Sequence, residues 1–259
     1  MIFGHLCLNM KSFLKLYLLV ILLVGCSKSK DDYVNNPGAS DFHNRAVGAS
    51  ANELLSSGKY SSLKIEVMYM TGYPPDAAAL NHLQSTLSAL VNKPSGITIV
   101  TRPIPASSNT VLSLDNIIDI EKNNRTAFTT GTELAVCVLY TNGSYTDNNV
   151  LGIAYKNTSV AIFGKVIYDN SGGIGQASRT KLEATVLEHE LGHLLGLVDL
   201  GSPMQAGHKD AAHGNHCNNS NCLMYYASET SDILGFLITG NIPSFDVNCR
   251  ADLQANGGK

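Results

Sequence analysis

Residues 189–193 read His189-Glu190-Leu191-Gly192-His193, two imidazoles with a carboxylate between them. On a helix, positions i and i+4 share one face, so both rings can reach a single divalent ion at ~2.0–2.1 Å. Glu190 projects beside them, placed to take a proton from water that the ion has acidified; bound zinc brings the pKa of water to about 7. The flanking Ala184, Val186, Leu187, Leu191, Leu194 and Leu195 are apolar, so this helix is expected to be buried. An ionised glutamate inside such a helix needs a partner, and a cation provides one. Two nitrogens do not complete a zinc site. A third ligand must come from beyond the helix, where Asp199, His208, His213, His216 and Glu229 are the donors to weigh.

Gly196 follows His193 by three residues, and glycine readily takes the left-handed conformation that ends a helix and turns the chain. The resulting His-Glu-x-x-His-x-x-Gly resembles the metzincin superfamily of zinc endopeptidases. There the turn delivers a third ligand, and a later methionine underlies the metal. The position of the usual third histidine is Asp199 in this chain. Further on, His216-Cys217-Asn218-Asn219-Ser220-Asn221-Cys222-Leu223-Met224 is similar to the archaemetzincin segment His-Cys-x-x-x-x-Cys-x-Met. The resemblance implies His216 as third zinc ligand, Met224 as the Met-turn residue, and residues 197–215 as an insertion. Asp199 is the second choice, then His213 and His208. A gluzincin reading, with Glu229 as ligand and Asp232 behind it, accounts for neither Gly196 nor Met224 and ranks last. Tyr226, two residues after Met224, occupies a position that in some metzincins approaches the zinc and stabilises the oxyanion; packing under the site is the equal alternative. Archaemetzincins also build a structural zinc site from their two cysteines and a later Cys-x-x-Cys. Only Cys249 lies downstream here, so that site is expected to be incomplete. A disulfide between Cys217 and Cys222, or from one of them to Cys249, is expected instead.

The elements that must carry these residues follow from hydrophobic periodicity. Residues 63–70 alternate apolar and polar as a strand does, and 97–104 form a second strand. Between them, Ala79, Leu80, Leu83, Leu87 and Leu90 recur at helical spacing over 76–91. Ser113 suits the N-cap of a second helix running to about 128. The mostly apolar run 133–140 is expected as a central strand, with Cys137 a buried free thiol. Residues 151–155 and 159–167 follow as strands, then a glycine-rich loop and a long helix over 178–195, with a last short helix near 245–254. The expected class is α/β (α+β), a zincin-like mixed twisted sheet with packed helices. The upper subdomain spans 61–196 and a loop-rich lower one spans 197–259. By resemblance to metzincins, the strand at 151–155 would be an antiparallel edge that pairs with an extended peptide substrate.

The N-terminus concerns address. Lys11 and Lys15 precede the apolar run 16–24, too short for a comfortable membrane span, and 1–25 reads as a signal peptide. Leu23-Val24-Gly25-Cys26 resembles the lipobox of bacterial lipoproteins, which implies a lipid on Cys26 and attachment to the outer membrane, on its periplasmic or cell-surface face. Lys30-Asp31-Asp32 is similar to export signals of some surface lipoproteins and tilts the choice outward. Residues 26–60 are expected to be a tether. A net charge of -3 over 259 residues gives no electrostatic footprint for nucleic acid, and a monomer is expected. The leading expectation is a zinc-dependent endopeptidase acting on extracellular or surface proteins. The alternatives are an aminopeptidase of archaemetzincin type, for which Asp199 would anchor the substrate amine, and a non-catalytic surface lipoprotein holding a structural zinc.

Overall fold

A computed structural model describes residues 41–259. The signal-peptide reading of 1–25 and the lipidation of Cys26 lie outside the described residues. Among the described residues, no helix is long and apolar enough to cross a membrane.

The sheet is built from β1 (Ser62–Met70), β2 (Ile97–Ile104), β4 (Glu133–Tyr140), β6 (Gly152–Lys156) and β7 (Ser159–Ile162), in the order β2-β1-β4-β7-β6. The pairs β1/β2, β1/β4 and β4/β7 are parallel; β6 runs antiparallel on β7 and forms one edge. Because side chains alternate along a strand, each strand feeds two cores. Ile65, Val67, Val136, Val138 and Tyr140 enter the larger core, while Met68, Met70, Cys137 and Leu139 enter the smaller one. The larger core is covered by α2 (Ala77–Leu90), through Leu80, Leu83 and Leu87, and by α5 (Arg179–Leu194). The smaller is covered by α3 (Leu114–Asn124), through Ile117 and Ile120. A two-strand ribbon, β3 (Val111–Leu112) with β5 (Ser144–Tyr145), closes that side.

Local signals set most helix starts. Asp76 caps α2 by accepting from the Ala79 amide, Ser113 forms a capping box with Asn116, and Ser178 caps α5 by accepting from Lys181. The strand expected over 159–167 stops at Ile162, and a helical turn, α4 (Gly164–Asp169), takes its place. The sequence reading also missed α6 (Ile233–Thr239); α7 (Val247–Ala255) lies where the last helix was expected.

The stretch 41–60, read from sequence as part of a tether, is folded. It holds a 3-10 helix (Asp41–Asn44) and α1 (Ala51–Leu55), whose Leu54 and Leu55 are buried in the larger core. Buried polar groups fix it in place. The Asn157 amide donates to Phe42 O (2.7 Å) and Ser50 Oγ (2.8 Å), and His43 Nδ1 meets Thr158 Oγ1 at 2.7 Å. This segment then backs the turn that follows α5. A Cβ on Gly196 would lie 2.6 Å from Ala51 Cβ and 2.5 Å from Ser202 N, and Gly196 has φ +80. Glycine there is required by space and by backbone conformation alike.

Candidate metal centre

Thirteen of the sixteen residues of α5 are buried, an all-round burial expected of a helix inside a core rather than on its surface. His189 and His193 lie one turn apart on it, and their Nε2 atoms stand 3.1 Å apart. The chain returns through Met224, which sits beneath the helix. A Cβ on Gly192 would come 2.4 Å from Met224 Sδ and 3.0 Å from a ring carbon of Phe245, so the glycine inside the motif makes the room that Met224 fills. The same return brings His216 in, its ring stacked on that of His189 with centroids 5.2 Å apart. Glu229, at the end of a 3-10 helix (Tyr226–Glu229), completes the group. His189, His193, His216 and Glu229 bring one donor atom each to within 4.8 Å of one another.

Hydrogen bonds on the far side of two rings fix which nitrogen is free. His189 Nδ1 donates to Leu223 O at 2.7 Å and His216 Nδ1 donates to His213 O at 2.6 Å. Each therefore directs an Nε2 lone pair inward. His193 Nε2 faces that of His189 at 3.1 Å, so a cation placed among the rings would meet both. Burial also depresses His193, to a pKa of about 4, against the pull of Glu229, keeping the ring neutral as a ligand must be. The donor set, three imidazole nitrogens with one carboxylate oxygen, fits zinc.

Glu190 is fully buried, and neither carboxylate oxygen has a formed hydrogen bond. It packs against β6 at Gly152, where a Cβ would come 2.8 Å from Glu190 Oε1. Burial pushes its pKa well above the ordinary carboxylate range, with Glu229 adding to the rise and the Ala154 amide opposing it. A carboxylate so placed has room in its chemistry for one more partner, a water or a substrate atom.

Asp199 is not in the group. It lies at φ 70 in the turn after α5, beside Val198 at φ 51, and its side chain, 60% exposed, pairs with Lys209 at 3.0 Å. The left-handed turn thus carries the carboxylate outward. His213 pairs with Asp210 at 2.7 Å and serves the group only through its carbonyl. Tyr226 stacks on the His213 ring with centroids 3.7 Å apart and is not among the four donors. Glu229, ranked last from sequence, is among them. Its signal was a carboxylate five residues after Met224, which nothing in spacing alone distinguishes from a surface acid.

The expected disulfides are absent: among the described residues Cys137, Cys217, Cys222 and Cys249 are free thiols. His208, in the loop after α5, adds a donor that the expectation of an incomplete second site did not count. His208, Cys217, Asp246 and Cys249 form a second compact group. His208 Nδ1 lies 3.4 Å from Cys217 Sγ and 3.9 Å from Cys249 Sγ, and Cys222 Sγ lies 3.6 Å from Cys249 Sγ. The buried Asp252 accepts from His208 Nε2 at 2.7 Å, which leaves the Nδ1 lone pair facing the sulfurs. Asp246 is already engaged, capping α7 through Oδ1 and accepting from Asn219 through Oδ2. One imidazole, two thiols and a carboxylate thus stand together, with the Cys222 thiol beside Cys249, a mixture of donors that suits a structural zinc.

Comparison with known proteins agrees with this geometry. The model of Metallo-peptidase family M12 matches residues 78–236, more than half of the chain. The crystal structure of an archaemetzincin from Methanopyrus kandleri shares the fold at a TM-score of 0.53 and 15% identity, over 76% of this chain and 96% of that one. No curated protein matches the sequence.

Proposed function

Because the chain belongs to metallo-peptidase family M12 and is a metzincin-like zinc metallopeptidase, we propose that it is an endopeptidase with Glu190 as its general base. The observation that carries this reading is the buried Glu190 carboxylate, without a hydrogen-bond partner, beside three imidazoles that converge on one point. When bound there, zinc polarises the scissile carbonyl and acidifies water. His189, His193 and His216 hold the ion, and the carbonyls of Leu223 and His213 hold two of those rings in orientation. Glu190 takes the proton from the attacking water and passes it to the leaving amine. Met224, under Gly192, serves as the Met-turn floor.

An extended peptide is the natural substrate shape, because β6 is an edge strand beside α5 with one side free for pairing. Gly152 and Ala154 present little side chain to an approaching backbone. The aminopeptidase alternative loses its anchor, since Asp199 is occupied by Lys209. One observation favours the non-catalytic reading: Glu229 brings the protein donors to four, as in closed structural sites. The second group of donors takes a structural zinc that ties the inserted loop to α7. The sequence around Cys26 supports a lipid-anchored enzyme on the bacterial outer membrane, acting on surface or extracellular proteins. Replacing Cys26 with alanine should move the protein from the membrane to the soluble fraction.

The test is cleavage of a broad peptide library by the zinc-loaded chain and by Glu190→Gln. Loss of ~100–10,000-fold in kcat with zinc still bound is the expected result. Full activity in that variant would overturn the assignment.

A further inference from the structure

Glu229 has no role in the chemistry above, yet its carboxylate stands against all three imidazoles. Oε1 lies 3.2 Å from His216 Nε2, and Oε2 lies 3.5 Å from His189 Nε2 and 3.8 Å from His193 Nε2. These are not ordinary hydrogen bonds. The two longer contacts exceed hydrogen-bond length. At His189 and His216 the ring proton is already committed to a carbonyl on the other side, so carboxylate lone pairs face imidazole lone pairs. Among neutral rings such an arrangement calls for a cation, a ring proton or a metal ion, and three imidazoles with one carboxylate are the donor set of a metal. The spacing has the corresponding scale: four ligands on a tetrahedron around zinc at 2.0–2.1 Å are ~3.3–3.4 Å apart. The nitrogen pair at 3.1 Å and the three nitrogen–oxygen separations bracket that value.

We propose that Glu229 is a fourth, displaceable zinc ligand that closes the metal site in the resting enzyme and yields its place to substrate. This rests on the peptidase reading, and it reconciles a four-donor set with an intact general base. The carboxylate remains ionised throughout; one coordinate bond, from the ion to the Glu229 oxygen, is exchanged for one to an incoming oxygen. Two features make Glu229 the ligand that leaves. Its side chain is 23% exposed, whereas the rings are 0–11% exposed. The histidines of α5 belong to a buried helix, while Glu229 ends a single 3-10 turn. Its backbone is also joined to the segment that leads into β6, the strand that would receive the peptide. Leu151 N donates to Glu229 O at 2.7 Å, Thr230 bridges Val150, and Ser231 N donates to Asn149 O at 2.8 Å. A peptide laid along β6 therefore arrives next to the anchor of the residue it must displace.

The test uses the full chain with cobalt(II) in place of zinc and acetohydroxamate as a small oxygen-donor probe, so that no cleavage assay is needed. Removing a ligand should change the visible cobalt spectrum of Glu229→Ala and Glu229→Gln relative to the unsubstituted protein. If the carboxylate occupies the ion nine-tenths of the time, acetohydroxamate should bind Glu229→Ala ~10-fold more tightly. The zinc-loaded alanine variant should also lose its metal to a chromophoric chelator more readily. Glu229→Gln, close in shape, secures the comparison if the alanine variant does not fold. Identical cobalt spectra and hydroxamate affinities in all three proteins would overturn the proposal. So would an unsubstituted protein that binds no hydroxamate at any concentration, because the fourth ligand would then be permanent. Failure of the peptidase reading shows up separately, as absent cleavage with these spectral differences intact.

Discussion

Replacing Gly152 with alanine probes how Glu190 is held. The added Cβ would lie 2.7 Å from Val186 Cγ1, 2.8 Å from Glu190 Oε1 and 2.9 Å from Glu190 Cγ. Ordinary contact begins near 3.4 Å, so the carboxylate and strand must separate by about 0.6 Å in an interior packed too densely to absorb it freely. Overpacking of this kind destabilises by ~1–3 kcal/mol. Its effect on rate should be comparable in free energy to its effect on folding, because displacing a catalytic group by ~1 Å lowers rates about 100-fold, or ~2.7 kcal/mol. The three nearest atoms belong to Val186 and Glu190 rather than to a zinc ligand, so metal content should stay unchanged while kcat falls ~10–100-fold. The assay is peptide cleavage alongside metal analysis and thermal unfolding. Gly235→Ala is the control: nothing lies within 4 Å of a Cβ there, and alanine in the interior of α6 should stabilise by ~0.8–1 kcal/mol. A Gly152→Ala protein with full activity and full zinc would refute the claim that β6 positions the general base.

Two further outcomes follow from buried groups away from Glu190. The purified chain should carry two zinc ions by elemental analysis. Cys249→Ser should lose one of them and ~2 kcal/mol of stability, seen as a fall of ~4–8 °C in Tm. A single zinc with oxidised Cys217, Cys222 and Cys249 by thiol titration would contradict the second site. His43 is held neutral, its pKa lowered to about 3 from 6.5 by burial first and then by Arg125. Below pH 6.5 the unfolded chain binds that proton and the folded chain does not. The stability His43 contributes is therefore complete above 6.5 and is lost as pH falls towards 3. At pH 4.5 this amounts to ~2.5 kcal/mol relative to pH 7. His43→Gln should flatten the decline of urea midpoints between those two pH values by about that much, and an unchanged slope would contradict the assignment.

Much of this architecture was legible in the sequence because its signals are local. Alternation over 63–70, helical spacing over 77–90, and the caps Asp76, Ser113 and Ser178 all act within a few residues. The His-Glu-x-x-His pair is legible for the same reason, since helix geometry alone brings the two rings together. The misses share the opposite property. His208 completes the thiol group only because the inserted loop folds back onto α7 and Asp252. Glu229 reaches the imidazoles only because 229–231 pairs with 149–151. Residues 41–60 read as a polar tether because their burial depends on partners far along the chain, Asn157 and Thr158. Asp199, the second choice after His216, keeps register with Gly196, but the left-handed turn at Val198 and Asp199 carries it away from the donor group.

The central claim is that Glu190 performs proton transfer at a zinc site formed by His189, His193 and His216. The most direct measurement is kcat for peptide cleavage by Glu190→Gln at confirmed zinc occupancy, beside the unsubstituted protein. Zinc should be retained in both proteins, and cleavage should fall by ~100-fold or more in the variant. Equal turnover by the two, with equal zinc, would contradict it.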